Sequence, residues 1–222
     1  MFSRIAGRYD LMNGLMTLGM HHAWRRAAAR ETIPSPEGPG LDLATGTGDL
    51  ALALAGIHRH RVIVGADFAH GMLKIAEEKR RGEVAGGRIR LVEADALVLP
   101  FESRAFAFVT SAFLLRNLAD LRQGLAEMRR VSRPGARVVA LEITQADLPG
   151  WAPLFRAYFH HVVPRLGALV SGDSEAYTYL PQSVDRFLTP PGLCALMEAV
   201  GLRGVKYRRL GLGTVTIHTG IA

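Results

Sequence analysis

The chain of 222 residues is 49% apolar and 21% charged, a composition that gives one globular domain a core of its own and excludes a disordered or fibrous chain. A single cysteine, Cys194, excludes an internal disulfide; no apolar run reaches the roughly 20 residues that cross a bilayer, and "MFSRIAGRYD" lacks a signal peptide's apolar stretch, so a cytoplasmic protein is expected. The net charge of +7 is carried mostly by arginine, scattered in pairs such as Arg25-Arg26, Arg80-Arg81 and Arg129-Arg130; no basic tract interleaved with aromatics occurs, so no nucleic-acid partner is expected.

Residues 1–31 read as a helical cap, with Leu11, Leu15, Leu18 and Trp24 at helical spacing. Apolar runs follow at 41–45, 62–68, 89–94, 106–113 and 136–143, the pattern of buried strands. Between the first four lie helical segments such as "DLALALAGIHRH" and "GMLKIAEEKRRGEV". In "NLADLRQGLAEMRRVSRPG", Leu118, Leu121, Leu125, Met128 and Val131 share one face and predict a helix that ends at Pro134-Gly135. Strands alternating with helices imply a mainly parallel sheet with helices on both faces. Residues 144–188 break the rhythm and carry Trp151, Phe155, Tyr158, Phe159, Tyr177 and Tyr179; such an insertion builds a substrate pocket or caps the fold by burying its own aromatics. After a helix around 190–200, "GVKYRRLGLGTVTIHTGIA" predicts two strands joined at Gly211 to Gly213, an antiparallel hairpin on one sheet edge. No repeat or linker divides the chain, so residues 1–222 are expected to form one domain.

The stretch "LDLATGTGDLALAL" at 41–54 runs from strand through a glycine turn into a helix. Gly46 and Gly48 let a ligand approach the backbone, and the helix N-terminus offers free N–H groups. Gly46, Gly48 and Ala51 also fit the G-x-G-x-x-G/A form of dinucleotide-binding enzymes, so the turn alone does not decide the ligand. The acids discriminate better. Asp42 sits inside the first strand, where a carboxylate favours a cationic ligand over a pyrophosphate. Asp67 closes the second strand, where its two oxygens suit both hydroxyls of a ribose. Asp95 closes the third, where a carboxylate beside the Ala96 N–H suits an adenine edge. Acids at the ends of consecutive parallel strands line one crevice. Adenine, ribose and a positive centre without phosphate describe S-adenosylmethionine; an NAD-dependent oxidoreductase would leave Asp42 and Asp95 without a role.

On the glycine turn, "GADF", "EADALVLPF" and "RVSRPGARVVALEI", the chain resembles the class I methyltransferases. The resemblance implies a Rossmann-like α/β fold with a seven-stranded, mainly parallel sheet and an antiparallel C-terminal strand. Three further stretches, "FSRIAGRYDLMNGLMTLGMHHAWRR", "FLLRNLADL" and "YLPQSVDRFLTPPGLCALMEAVGL", resemble the quinone-biosynthesis C-methyltransferases, which methylate demethylmenaquinol or its ubiquinone-pathway counterpart. This match runs from Phe2 to the "TVTIHTG" close. The chain departs from the family in Ala112, where a serine is usual, in Leu114 in place of a glycine, and in "GLGT" in place of paired glycines.

The resemblance implies S-adenosylmethionine bound by Asp42, Thr45, Gly46, Thr47, Gly48, Asp67, Phe68, Met72, Asp95, Ala96 and Ala112, with methyl transfer to a ring carbon of an isoprenoid hydroquinol. The menaquinone branch is preferred on the shortness of the N-terminus; a benzoquinol, another small molecule, or a non-catalytic binding subunit are the alternatives. Arg116 is expected to stabilise the quinolate, Asn117 to orient a water or hydroxyl, and Tyr9 to close the site. Structural alternatives are an Arg116–Asp10 pair and an Asn117 cap on a helix beginning at Leu118. Met12, Leu15, Met16 and Leu18 either pack into the core or form a tail entrance resting on a bilayer, so peripheral membrane contact is admitted, as is a homodimer. Neighbouring histidines such as His21-His22 and His160-His161 are expected to point apart on a helix, and no metal site is expected.

Overall fold

The computed structural model describes residues 2–146, 149–165 and 174–222, with side chains over 10–146, 149–165 and 179–222. Seven strands form one sheet in the order β3-β2-β1-β4-β5-β7-β6. They are β1 (Gly40–Leu43), β2 (Ile63–Asp67), β3 (Ile89–Glu93), β4 (Phe106–Ala112), β5 (Ser132–Ile143), β6 (Arg203–Leu210) and β7 (Val215–Ile221). The first five are parallel, and β7 inserts antiparallel between β5 and β6. The hairpin therefore extends the sheet edge, as its glycine turn predicts.

β4 is buried on both faces, so apolar residues appear at successive positions in Phe106 to Val109 rather than at alternate ones, and β1 beside it is buried throughout although Asp42 separates Leu41 from Leu43. On one face Leu41, Leu43, Val109 and Val138 pack against Leu125, Met128 and Val131 of α5 (Leu121–Val131) and Leu193 and Met197 of α8 (Pro190–Ala199). On the other, Ile63, Ile89 and Phe108 meet Leu50, Ala51 and Leu54 of α3 (Asp49–Ile57), and Val139 and Leu141 meet Trp24 and Ala28 of α2 (Met20–Arg30). The remaining helices are α1 (Phe2–Thr17), α4 (His70–Arg81), α6 (Trp151–Ala157) and α7 (Ser174–Arg186).

Two boundaries differ from the sequence reading. The helix expected from Leu118 begins at Leu121, because Asp120 accepts the Gln123 N–H and caps it; Leu118 stays extended yet still packs into the core. That helix also stops at Val131 rather than at Pro134-Gly135. Strand pairing resumes at Ser132 opposite Phe106, and the Pro-Gly step is absorbed as a register shift. The apolar residues of α1 divide: Met12 is fully buried against Phe159, Val163 and Val184, with Met16 packed beside it, while Leu11 and Leu15, and Leu18 just past the helix, face outward. In the 144–188 segment Phe155 stacks on Phe159 at 5.2 Å and Tyr158 donates to the Met16 carbonyl, so these aromatics anchor α1. The Tyr177 side chain lies outside the described residues.

Candidate active site

The sheet order reverses direction between β1 and β4, and the loops leaving the strands' C-terminal ends open there into a crevice. A cavity of about 350 Å³ is lined by Gly46 after β1, Asp67 and Phe68 after β2, Asp95 and Ala96 after β3, and Ala112 to Leu114 with Asn117 after β4; Met72 of α4 closes one side. Its volume falls in the range of small-molecule sites, roughly 300–1,000 Å³.

The glycine turn is built for approach. Gly46 has φ +56°, a left-handed conformation that glycine adopts without penalty, and a Cβ built there would meet nothing within 4 Å. Gly48, at φ +87°, has a different task, since its Cβ would come within 3.3 Å of Ala76 and push α3 from α4. Two residues without that freedom also hold left-handed backbones at the cavity wall, Ala44 (φ 53°) after β1 and Phe113 (φ 62°) after β4. Each carries of order 1–3 kcal/mol of strain, a cost that concentrates at working sites.

Asp67 is nearly buried, and its Oδ2 accepts the Gly46 N–H at 2.8 Å while Oδ1 accepts the Ala69 N–H at 2.8 Å. Burial pushes its carboxyl above the usual range, with the two amides holding it back. Each oxygen accepts one of these amides and has capacity for a further donor. Asp95 is exposed and spends one oxygen on the Leu97 N–H. Phe68 offers a largely exposed ring and Met72 a buried thioether.

Asp42 stands apart from this group. It is buried beneath the turn, where Thr45 Oγ1 donates to its Oδ2 at 2.7 Å and Thr110 Oγ1 to its Oδ1 at 2.9 Å. Burial pushes its carboxyl up to about 7, opposed by those hydroxyls. It does not line the main cavity; it borders a small one beside Arg25, Thr45, Thr47 and Asp49. Asp67 and Asp95 thus share one crevice, and Asp42 supports its floor.

Arg116 and Asn117 lie in a short 3-10 turn, Leu115–Asn117. The suggested Arg116–Asp10 pair does not form. Arg116 Nη1 donates to Glu142 Oε2 at 3.0 Å, in a pair whose side chains are 8% and 1% exposed. Glu142 also accepts the Leu115 N–H at 2.6 Å; burial pushes its carboxyl up, and Arg116 pulls it back. Arg116 lies 5.8 Å from the Phe113 ring centroid and Arg25 lies 5.5 Å from the same centroid. Arg116 is not among the residues lining the cavity, whereas Asn117 is. Asn117 caps no helix: its Nδ2 donates to the Phe113 carbonyl, and its Oδ1 is buried without a partner among the described residues. The Arg116 Nε is likewise buried and unspent. The Tyr9 side chain lies outside the described residues.

Sequence reasoning missed Glu142, Arg25, Phe113 and Lys79. Only Glu142 carried a legible signal, an acid inside the apolar strand "VVALEI". The expectation that neighbouring histidines diverge fails at His21 and His22, whose rings lie 3.9 Å apart. Together with Asp49 they bring ligand atoms within 4.8 Å of one another, but the Arg25 guanidinium already bonds His21 Nδ1 and sits 3.8 Å from Asp49. Burial and Arg25 lower the His21 pKa to about 4, so its ring is neutral.

Comparison with known proteins bears on all of this. The model of the family described as "ubiE/COQ5 methyltransferase family" matches residues 1–222. A demethylmenaquinone methyltransferase of Thermus thermophilus is 46% identical over 99% of this chain and 99% of its own. One of Deinococcus radiodurans is 46% identical over 99% and 90%. A ubiquinone/menaquinone biosynthesis C-methyltransferase UbiE of Syntrophotalea carbinolica is 41% identical over 99% and 92%. Among solved structures, a SAM-dependent methyltransferase from Thermotoga maritima superposes with a TM-score of 0.70 at 18% identity, covering 99% of this chain and 97% of that one. One from Aquifex aeolicus gives 0.68 at 15%, covering 96% and 98%. At such identities the structures speak to the fold, which is that of the class I methyltransferases.

Proposed function

The chain belongs to the ubiE/COQ5 methyltransferase family, and on that premise we propose that it moves a methyl group from S-adenosylmethionine to a ring carbon of a demethylmenaquinol. It is a methyltransferase. The observation that supports this substrate and cofactor pairing best is the convergence of Gly46, Asp67-Phe68, Asp95-Ala96 and Asn117 on one cavity at the sheet's switch point.

The residues fit an adenosyl sulfonium. Gly46 leaves open space where any other residue would place a Cβ. Asp67, fixed by two amides, keeps acceptor capacity for a ribose diol, and Asp95 keeps one oxygen for an adenine amine, beside the exposed Phe68 ring. Thr45 and Thr47 set the turn's shape, and Ala112 leaves only backbone on its side. When bound, S-adenosylmethionine supplies a methyl group on positively charged sulfur, a strong electrophile.

The protein's task is then alignment and support of charge on the acceptor. A hydroquinol hydroxyl resembles tyrosine, with a pKa of about 10, and its ring carbon becomes a good nucleophile only as that proton leaves. Asn117 Oδ1, buried and unpartnered at the cavity wall, accepts from the hydroxyl or from a water that carries its proton away. Arg116 holds its own proton too tightly to act as a base. It is tied to Glu142 through one nitrogen and stands behind the cavity wall rather than lining it, and its positive charge there supports the developing oxyanion. Tyr9 is assigned to closing the site.

The tail of such a substrate resides in a membrane. No helix among the described residues is long and apolar enough to cross one. The outward Leu11 and Leu15 of α1, with Leu18 and Met20 beyond it, support peripheral contact at the cytoplasmic face. The test is transfer of labelled methyl to a short-tailed demethylmenaquinol and to the matching benzoquinol. Transfer to neither ring rejects the reading; transfer to the benzoquinol alone moves the chain to the ubiquinone branch.

A further inference from the structure

Asp10, the acid of "RYD", enters none of the chemistry above, yet it makes direct polar contacts between α1 and the cofactor turn. Its Oδ1 accepts from Thr47 Oγ1 at 2.7 Å, and its Oδ2 meets Lys79 Nζ of α4 at 2.6 Å. Lys79 also reaches Asp49 Oδ1 at 2.7 Å and Thr47 Oγ1 at 3.1 Å. An ammonium has three donors, and all three are used on this one cluster. Burial opposes ionisation of Asp49, but Arg25 and Lys79 overcome it and hold the carboxyl below its usual range. The cluster leaves Asp49 Oδ2 without a hydrogen bond, 3.8 Å from Arg25, and it joins α1, α3 and α4 at the one residue, Thr47, that sits between the two glycines. At its far end α1 leaves through Leu18 and Gly19, both with left-handed backbones, and between these points Met12 is buried under the 151–165 segment.

We propose that Asp10 is a positioning residue: it clasps α1 to Thr47, so that docking of this helix and the binding-competent shape of the cofactor turn form one coupled equilibrium. Coupling of this kind is reciprocal, so a ligand that fixes the turn must also hold the helix down. The proposal rests on S-adenosylmethionine as the ligand of the turn.

The experiment uses the full chain and S-adenosylhomocysteine. Asp10→Asn is expected to weaken its binding about 5- to 50-fold, with little change in the melting temperature of the ligand-free protein. In a Thr47→Val background the same substitution is expected to cost less than it does alone, since the Thr47 arm of the clasp is already gone and only the Lys79 contact remains to be lost. In the wild type the ligand is expected to slow hydrogen exchange of the α1 amides, and in Asp10→Asn to leave them unchanged. Wild-type affinity in a folded Asp10→Asn protein, losses that simply add in the double variant, or equal protection of α1 in both proteins overturns the clasp while leaving the cofactor reading intact. A wild-type chain without affinity for S-adenosylhomocysteine instead overturns the cofactor reading and the clasp with it.

Discussion

Glu142→Leu would strand the Arg116 guanidinium, 8% exposed, without its carboxylate. Removing one member of a buried ion pair costs about 3–5 kcal/mol, and the Leu115 amide loses its acceptor at the same time. A net loss of about 4 kcal/mol is expected. Arg116→Met should behave differently. Glu142, already pushed up by burial, would take a proton and still accept the Leu115 N–H as a neutral acid. Without Arg116 to pull it back, the Glu142 carboxyl rises further, so the variant loses stability relative to wild type as pH rises. The double variant Arg116→Met/Glu142→Leu leaves no stranded charge and should be more stable than Glu142→Leu alone. Urea unfolding of the four proteins at pH 5, 6, 7 and 8, with unchanged m-values, measures this. A flat pH profile for Arg116→Met, or a double variant no better than Glu142→Leu, would refute the ion pair as the anchor of the 115–117 turn.

Three other outcomes are expected. Asp42, with its pKa raised to about 7, holds a proton in the folded chain that the unfolded chain releases near pH 4, so its stabilisation is present below pH 4 and lost as pH rises through 7, a change of up to about 4 kcal/mol. His21 and His218, both lowered to about 4, act oppositely and gain as pH rises toward 6.5, so the measured quantity is the difference between wild type and Asp42→Asn; a difference constant from pH 4 to 7.5 counts against the reasoning. Asp67→Ala removes the carboxylate that accepts the Gly46 amide and is proposed to hold the ribose, and should weaken S-adenosylhomocysteine about 10- to 100-fold by calorimetry; unchanged affinity removes Asp67 from the proposed cofactor site. Arg116→Lys should keep that affinity yet lower labelled-methyl turnover by about 10²- to 10³-fold, and retained turnover removes Arg116 from the mechanism.

The sheet and most of the cavity were legible because they follow from local pattern. Continuous apolar runs mark strands buried on both faces, and glycine-acid punctuation marks their C-terminal ends, so Gly46, Asp67, Asp95 and Ala112 could be placed before any coordinates. Helix limits at 118 and 134 were not, because the deciding events are a side-chain cap at Asp120 and a strand pairing of Ser132 with Phe106, both settled by packing rather than periodicity. The partition of α1 was also hidden. Its apolar residues have one spacing, and only the arrival of Phe159 and Val184 from far along the chain decides that Met12 turns inward.

The two strand acids show where such reading stops and why. Asp42 and Glu142 each lie in an apolar run whose neighbours are buried, so each is committed to a partner on energetic grounds alone. The partner is what sequence withholds. Asp42 is served by Thr45, three residues away, and by Thr110, 68 away; burial raises its pKa to about 7, and the two hydroxyls only partly oppose the rise. Glu142 meets Arg116, 26 residues away. Two acids with the same signature thus have different duties, one supporting the floor of the cofactor turn and the other fixing the turn that carries Asn117. The difference lies in which strand lies next to which, since β4 sits between β1 and β5 and presents Thr110 to one and the Leu115–Asn117 turn to the other.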